Sequence, residues 1–525
     1  MRSWTKGRLR HVRIVREFRR LLARVLKVIR RRSVVAAATA ATLATGILYL
    51  AVSNSSVGLG FPLDDAWIHQ TYARNLAEFR QWAFIPGITS AGSTAPLWSA
   101  LISLGYFMRL DPLFWTYLGG LALLALSAWL AARWFSVRFP KRADLAWTMA
   151  ILVALEWHLA WASLSGMETL ALAAIALLCF YWLESRRVGI FLVGLVIGVG
   201  VWIRPDALTL VFAPSGYLVV RDREKRFGEW FRLGLGIAVP LVAYFAFQRG
   251  LSGELLPNTF FAKQAEYAVL REFPLFVRLL TQIGIPGEWL GAAGLQTGGP
   301  LIGVLIVLVP GLLILTRQTF RSRQWSQLIP LIWAGLFLTL YAVRLPVTYQ
   351  HGRYAIPVIP VLLVLSYEGM MRWIGPRSPV AAMRIVSRAW ILVVAISSLT
   401  FWLIGAGAYG RDVAIIESEM VATAHWIEDN IPSGAVVAAH DIGAIGYFAS
   451  RELVDLAGLV SPDIIPFIRD EVALARHLDE AGAEYLITFP GWYPELTAGR
   501  EPLFVPEAPY SPAAGGEHMT VFAWN

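Results

Sequence analysis

The 525-residue chain is 57% hydrophobic and only 16% charged, with 22 tryptophans and a mean hydropathy of +0.56, whereas a soluble globular chain carries about 25% charged residues. This excludes an ordinary soluble protein and points to a polytopic membrane protein. The net charge of +10 invites a nucleic-acid reading, but residues 2–32 hold thirteen Lys/Arg against Glu17 alone, about +12 in one arm, so the remainder of the chain is slightly acidic. A basic arm before a long apolar run follows the positive-inside rule and contacts anionic lipid headgroups; no nucleic-acid partner is expected.

Taken in order, the chain reads as a basic cytoplasmic arm over 1–33, a transmembrane domain over 34–408 and an extracytoplasmic domain over 409–525. The first apolar run, 34–53, is longer than a signal-peptide core and is not followed by a clear small-x-small cleavage site, so it reads as a retained helix. Further runs at 113–136, 144–163, 169–184, 188–204, 206–220, 231–249, 299–316, 327–343, 354–373 and 389–408 bring the expected spans to about eleven, two of them short and broken around Arg204-Pro205. The loops that then fall inside, 133–142, 184–187, 221–232, 317–323 and 372–388, are all basic, and the N-terminus is cytoplasmic. This alternation requires 94–109 to be a surface helix of the first outer loop. At about 15 residues it is short for crossing a bilayer.

Beyond residue 409 there are eighteen acids against five arginines, the reverse of the inner loops. Residues 413–430 and 464–481 have helical periodicity, and 436–439, 484–488 and 519–522 read as strands, predicting a small α/β domain. The one cysteine, Cys179, lies in an apolar run, so no intrachain disulfide forms. No internal repeat is visible, which weakens the rival reading of a transporter or flippase that uses an acidic pair to couple ions.

An ionisable group in lipid costs on the order of 3 kcal/mol or more unless it is paired or wet, so polar residues at the membrane edge mark function. The outer edge collects Asp64, Asp65, His69, Tyr72, Arg74 and Asn75, then Glu168, Arg204 and Asp206, then Asn258 and Lys263, and finally Arg344, Tyr349, His351, Arg353 and Tyr354. Carboxylates that take a hydroxyl proton and cations that stabilise a leaving phosphate meet on one side. Blander readings exist for several. Asp64-Asp65 fits a helix cap before Ala66, Ser165 to Glu168 a capping box, and Arg204 a partner for carbonyls loosened by Pro205. Asp65 and His69, one turn apart, share a helix face and suit either a metal ion or a hydrogen-bonded pair. Asp441 with its glycines reads as a turn packing the tail onto the membrane domain.

The segments Leu63-Asp64-Asp65-Ala66-Trp67-Ile68, Tyr72-Ala73-Arg74-Asn75-Leu76, Pro86-Gly87, Ser93-Thr94-Ala95-Pro96-Leu97-Trp98 and Ser165-Gly166-Met167-Glu168-Thr169 resemble the GT-C superfamily of polyprenyl-phosphate-sugar glycosyltransferases. Within it the chain is most similar to the mycobacterial terminal β-(1→2)-arabinofuranosyltransferase and related bacterial membrane glycosyltransferases, a likeness shared by Asp441 to Phe448 and Val454 to Leu459. The resemblance implies a mainly α, GT-C-type membrane protein of the cytoplasmic membrane. It would be an inverting transferase with a polyprenyl-phosphate sugar donor and a cell-envelope glycan, glycolipid or protein acceptor. It further implies that Asp64 or Asp65 is the catalytic base, that the other acid orients it or holds a divalent cation (Mg or Mn), and that Lys263, Arg204, Arg344 and Arg353 meet the phosphate. His69, Arg74, Glu168, Asn258, His351 and Tyr354 complete the expected substrate site.

Overall fold

The structure, a computed structural model, describes residues 33–220, 226–292, 295 and 298–524. All of the basic arm except Ser33, and residues 221–225 of one inner basic loop, lie outside the described residues. Among these, seven helices are long and apolar enough to cross a membrane: Ser33–Ser56, Pro112–Arg138, Phe227–Ser252, Leu305–Ser322, Trp325–Arg344, Tyr349–Trp373 and Ala381–Asn430. An eighth span is made if the pair Pro140–Ala154 and Trp157–Leu164, bent by 59°, counts as one. At the bend Glu156 caps the second half, accepting the Leu159 N–H at 3.0 Å and contacting His158 Nδ1 at 2.8 Å.

Three other expected spans are shorter apolar helices, Thr169–Ser185, Ile190–Ile203 and Pro205–Val220. At about 1.5 Å per residue their 14 to 17 residues reach less than the roughly 30 Å of hydrocarbon. All of the roughly eleven expected runs are thus apolar helices, seven or eight of them long enough to cross and three shorter. Proline accounts for one break: Pro205 removes a donor and stops the helix at Ile203. The segment expected on the outer surface is a 12-residue helix, Pro96–Phe107.

Small residues let the helices close up. A Cβ on Gly311 would lie 1.9 Å from the Ser366 carbonyl oxygen, and one on Gly369 1.8 Å from that of Gly311, so Leu305–Ser322 and Ile359–Trp373 touch backbone to backbone. Arg138 with Glu184 and Glu368, and Arg372 with Glu368, tie the last turns of three helices together. Glu168 and Arg353 precede the first turns of two of the same helices, so the candidate site sits at the opposite end of the bundle.

The helix Ala381–Ile416 has 36 residues, about 54 Å, well beyond the hydrocarbon thickness. It passes through a π turn at Glu417–Val421 into Ala422–Asn430, so the expected boundary at 408/409 falls inside one continuous rod. The first loop carries a hairpin of β1 (Ala83–Ile85) and β2 (Ile88–Thr89). The C-terminal domain is a five-stranded sheet of order β4-β3-β5-β7-β6, from β3 (Val436–Ala439), β4 (Glu452–Asp455), β5 (Tyr485–Thr488), β6 (Pro502–Phe504) and β7 (Thr520–Ala523). β3 is parallel to β4 and β5, and β7 antiparallel to β5 and β6. The period of two is visible in the packing: Ala438, Leu486 and Phe522 face the domain's own core, whereas Val437, Ala439, Ile487 and Val521 face the main body.

Candidate active site

Folding separates the expected catalytic and substrate-site residues into two groups. Asp65, His69, Glu168, Arg204, Lys263, Arg344, Arg353 and Tyr354 line one cavity of about 320 Å³, joined by Asp206, Gln264 and Tyr341. Asp64, Arg74, Asn258 and His351 lie outside its lining.

Asp65 opens the helix Asp65–Phe79 and directs Oδ2 to Arg353 Nη2 at 2.8 Å and Lys263 Nζ at 3.4 Å. Burial by itself would raise the Asp65 carboxyl, but the two cations outweigh it and hold the group well below the usual carboxylate range. Arg353 is 6% exposed; its Nη2 also donates to the Tyr354 hydroxyl at 3.2 Å, while Nε and Nη1 are buried without a hydrogen-bond partner. A buried donor without an acceptor costs about 1–3 kcal/mol, more on a charged group, so this guanidinium carries unspent donors in the wall of the cavity.

Beside it lies a second ion cluster. Arg204 Nη1 meets Glu168 Oε1 at 3.3 Å, and Nη2 meets Asp206 Oδ2 at 3.1 Å and the Tyr341 hydroxyl at 2.6 Å. Tyr341 in turn donates to Asp206. His69 has both ring nitrogens engaged, Nδ1 with Ser99 Oγ at 2.8 Å and Nε2 near Glu168 Oε2 at 3.4 Å. The expected capping box is not formed, since Glu168 makes no side-chain cap bond and turns to Arg204.

The lining holds three carboxylates, Asp65, Glu168 and Asp206, against four cations, Arg204, Lys263, Arg344 and Arg353, an excess of one positive charge. A divalent cation does not fit this donor set: Asp65 is flanked by two cations, His69 is committed elsewhere, and among the described residues no group of three His, Cys, Asp or Glu comes together to hold a metal.

The four residues outside the lining have other contacts. Asn258 starts the helix Asn258–Glu266 that carries Lys263, its N–H on the Ala91 carbonyl at 3.2 Å. His351 Nε2 is 2.7 Å from Asp412 Oδ2, which also accepts from Trp161 Nε1 at 2.8 Å. Gln350 and His351 adopt φ of 52° and 60°, a left-handed conformation that non-glycine residues rarely take, so this anchor holds the strained loop presenting Arg353. The Asp64 carboxylate does not cap its own helix; it accepts the N–H groups of Gly443 and Ala444 in the C-terminal domain at 2.6 and 2.8 Å. Arg74 donates to the carbonyls of Tyr447 at 2.6 Å and Gly446 at 3.3 Å.

Sequence reasoning did not assign several wall residues to the site, among them Tyr341, Gln264 and Leu459. Tyr341 is signalled only by lying three residues before Arg344 on one helix, and Gln264 only by following Lys263. Leu459 reaches the cavity from the C-terminal domain, signalled only as the end of the segment Val454 to Leu459 that shares the family likeness.

Comparison with known proteins agrees with this architecture. The family model of a domain of unknown function, DUF8728, matches residues 412–522. A search of curated proteins finds no match. Among solved structures the chain is similar to ArnT from Cupriavidus metallidurans bound to undecaprenyl phosphate, with a TM-score of 0.56 and 15% identity over 92% of this chain and 97% of that one. It is also similar to the archaeal oligosaccharyltransferase AglB from Archaeoglobus fulgidus, in complex with an inhibitory peptide and a dolichol-phosphate, with a TM-score of 0.55 and 13% identity over 85% of this chain and 69% of that one. Both neighbours are GT-C glycosyltransferases. The helical bundle, the outer-edge cavity and the small C-terminal sheet thus make this a multi-pass membrane protein with a GT-C-type fold.

Proposed function

We propose that the chain is an inverting glycosyltransferase that moves a sugar from a polyprenyl-phosphate donor to a hydroxyl of a cell-envelope glycan, glycolipid or protein, at the outer face of the cytoplasmic membrane. The observation that carries this is the cavity wall itself, where Arg353, whose Nε and Nη1 have no partner, and Lys263 stand beside the Asp65 carboxylate. A phosphate there receives planar donors from Arg353 and a point charge from Lys263. The fold neighbours, whose ligands are polyprenyl phosphates, support the same reading.

In this mechanism Asp65 takes the proton of the acceptor hydroxyl as its oxygen bonds to the anomeric carbon. The bond from that carbon to the phosphate oxygen breaks on the opposite side, and its electron pair leaves on the phosphate. A phosphate departs readily, so positive charge serves in place of a strong acid. The low proton affinity of Asp65 is a property of the unliganded cavity: a donor phosphate shares Arg353 and Lys263, loosens their hold and makes the carboxylate a better base. Charge compensation by side chains leaves no step that calls for a metal ion. The test is transfer from a panel of polyprenyl-phosphate sugars by membranes carrying the protein. Asp65→Asn should lower transfer by about 10³-fold or more while polyprenyl phosphate still binds; near-normal transfer by that variant removes Asp65 as the base.

A further inference from the structure

The short helix Gly443–Phe448 of the C-terminal domain begins with N–H groups that its own sequence leaves without an acceptor. The residue at its N-cap is Ile442, and no side-chain cap is present within the domain. The cap comes from the first outer loop instead, where Asp64 Oδ2 accepts from Gly443 at 2.6 Å and Oδ1 from Ala444 at 2.8 Å. At the other end, the carbonyls of Gly446 and Tyr447 receive the Arg74 guanidinium. One segment therefore supplies acceptors to the open N–H groups at the start of this helix and a donor to the carbonyls at its end.

The fit is close as well as charged. A Cβ on Gly443 would lie 2.1 Å from the Asp64 carbonyl oxygen, and one on Gly446 2.2 Å from the Phe84 ring. Trp67 packs on Tyr447 and Phe448, with ring centroids 4.8 and 4.7 Å away. Successive residues of a helix point about 100° apart. Holding the Asp64 carboxylate on the domain therefore fixes the rotation of the helix start, and with it the direction in which Asp65 points, toward Arg353 and Lys263.

We propose that Asp64 and Arg74 are positioning residues through which the C-terminal domain aims Asp65 into the cavity, so that the domain is part of the catalytic centre. This rests on the assignment of Asp65 as the base. It gives the adjacent acids different work: one grips the domain and the other meets the substrate.

The test compares full-length Asp64→Asn, Arg74→Ala, Gly443→Ala and Asp65→Asn by transfer kinetics, polyprenyl-phosphate binding and hydrogen exchange of residues 443–448. The first three should speed exchange there by about tenfold or more and lower kcat by about 10- to 100-fold, with donor KM and carrier affinity within about twofold. Gly443→Ala and Arg74→Ala keep both carboxylates, so a parallel loss in them reports aim and not chemistry. Asp65→Asn should lose transfer with exchange at 443–448 unchanged. Loss of transfer in Asp64→Asn with unchanged exchange would overturn the proposal, because Asp64 would then act on substrate. Faster exchange with unaltered kcat would overturn it as well. Retained transfer in Asp65→Asn removes the base assignment, whereas exchange at 443–448 reads the grip on the domain separately.

Discussion

At the scale of single residues, the site depends on an arginine at 353. Its Nη2 is spent on Asp65 and Tyr354, and Nε and Nη1, on separate sides of the guanidinium, are left without a partner, each with a hydrogen bond to give to a ligand oxygen. A lysine keeps the charge and loses the planar array of donors. Arg353→Lys should therefore weaken binding of polyprenyl phosphate by about tenfold, roughly 1.4 kcal/mol, measurable by titration in nanodiscs; an unchanged affinity would mean the guanidinium is not the phosphate site. Asp65, Lys263 and Arg353 are readable in the sequence because charges are rare in so apolar a chain and must be paired. Which of the two adjacent acids faces the cavity is not, since the decision is made by backbone groups 379 residues away. Tyr341 is hidden for another reason: tyrosines near a membrane surface are common, and the one that bridges Arg204 and Asp206 looks like any other.

At the scale of elements, hydropathy locates every apolar helix, because lipid imposes both length and composition. It does not show where a helix bends or how far it continues. The break at Glu156 depends on a carboxylate that caps the second half, and a lone acid in an apolar run reads equally well as a buried ion. The composition changes from apolar to acidic near 409, while the helix runs on to Ile416 because its backbone bonds are indifferent to that change. In the C-terminal sheet the expected strands β3, β5 and β7 are the interior ones; β4 and β6, unseen in the sequence, are the two edges. Edge strands tolerate a terminal charge or a proline, here Glu452, Asp455 and Pro502, and so lose the apolar alternation that identifies a strand.

At the scale of the whole molecule, the walls of one cavity come from the first loop, from the ends of several helices and from the C-terminal domain, so the domain's attachment governs the site. A further attachment is His440, whose Nε2 is 3.5 Å from Glu266 Oε1 and whose Nδ1 is 2.7 Å from the Tyr493 hydroxyl. Burial lowers the His440 pKa, but Glu266, with Asp441 and Asp455, more than offsets this and lifts it from 6.5 to about 9. A raised histidine stabilises the folded state fully below its unfolded value and loses that contribution as pH climbs through its folded value. Docking of the domain should accordingly weaken between about pH 6.5 and 9. Limited proteolysis across this range checks it, and His440→Gln should flatten the dependence; equal protection of the wild type at pH 6 and pH 9.5 would contradict it. The surplus positive charge of the cavity, four cations to three acids, has a consequence for turnover. A donor phosphodiester brings one negative charge, whereas the carrier left behind is a monoester bearing about 1.5 to 2 at neutral pH. On the proposed reaction, the spent lipid should therefore bind more tightly than the donor. Added polyprenyl phosphate should compete with donor at concentrations below the donor KM, and more effectively as pH rises through about 6; initial rates that show inhibition only well above that KM would refute it.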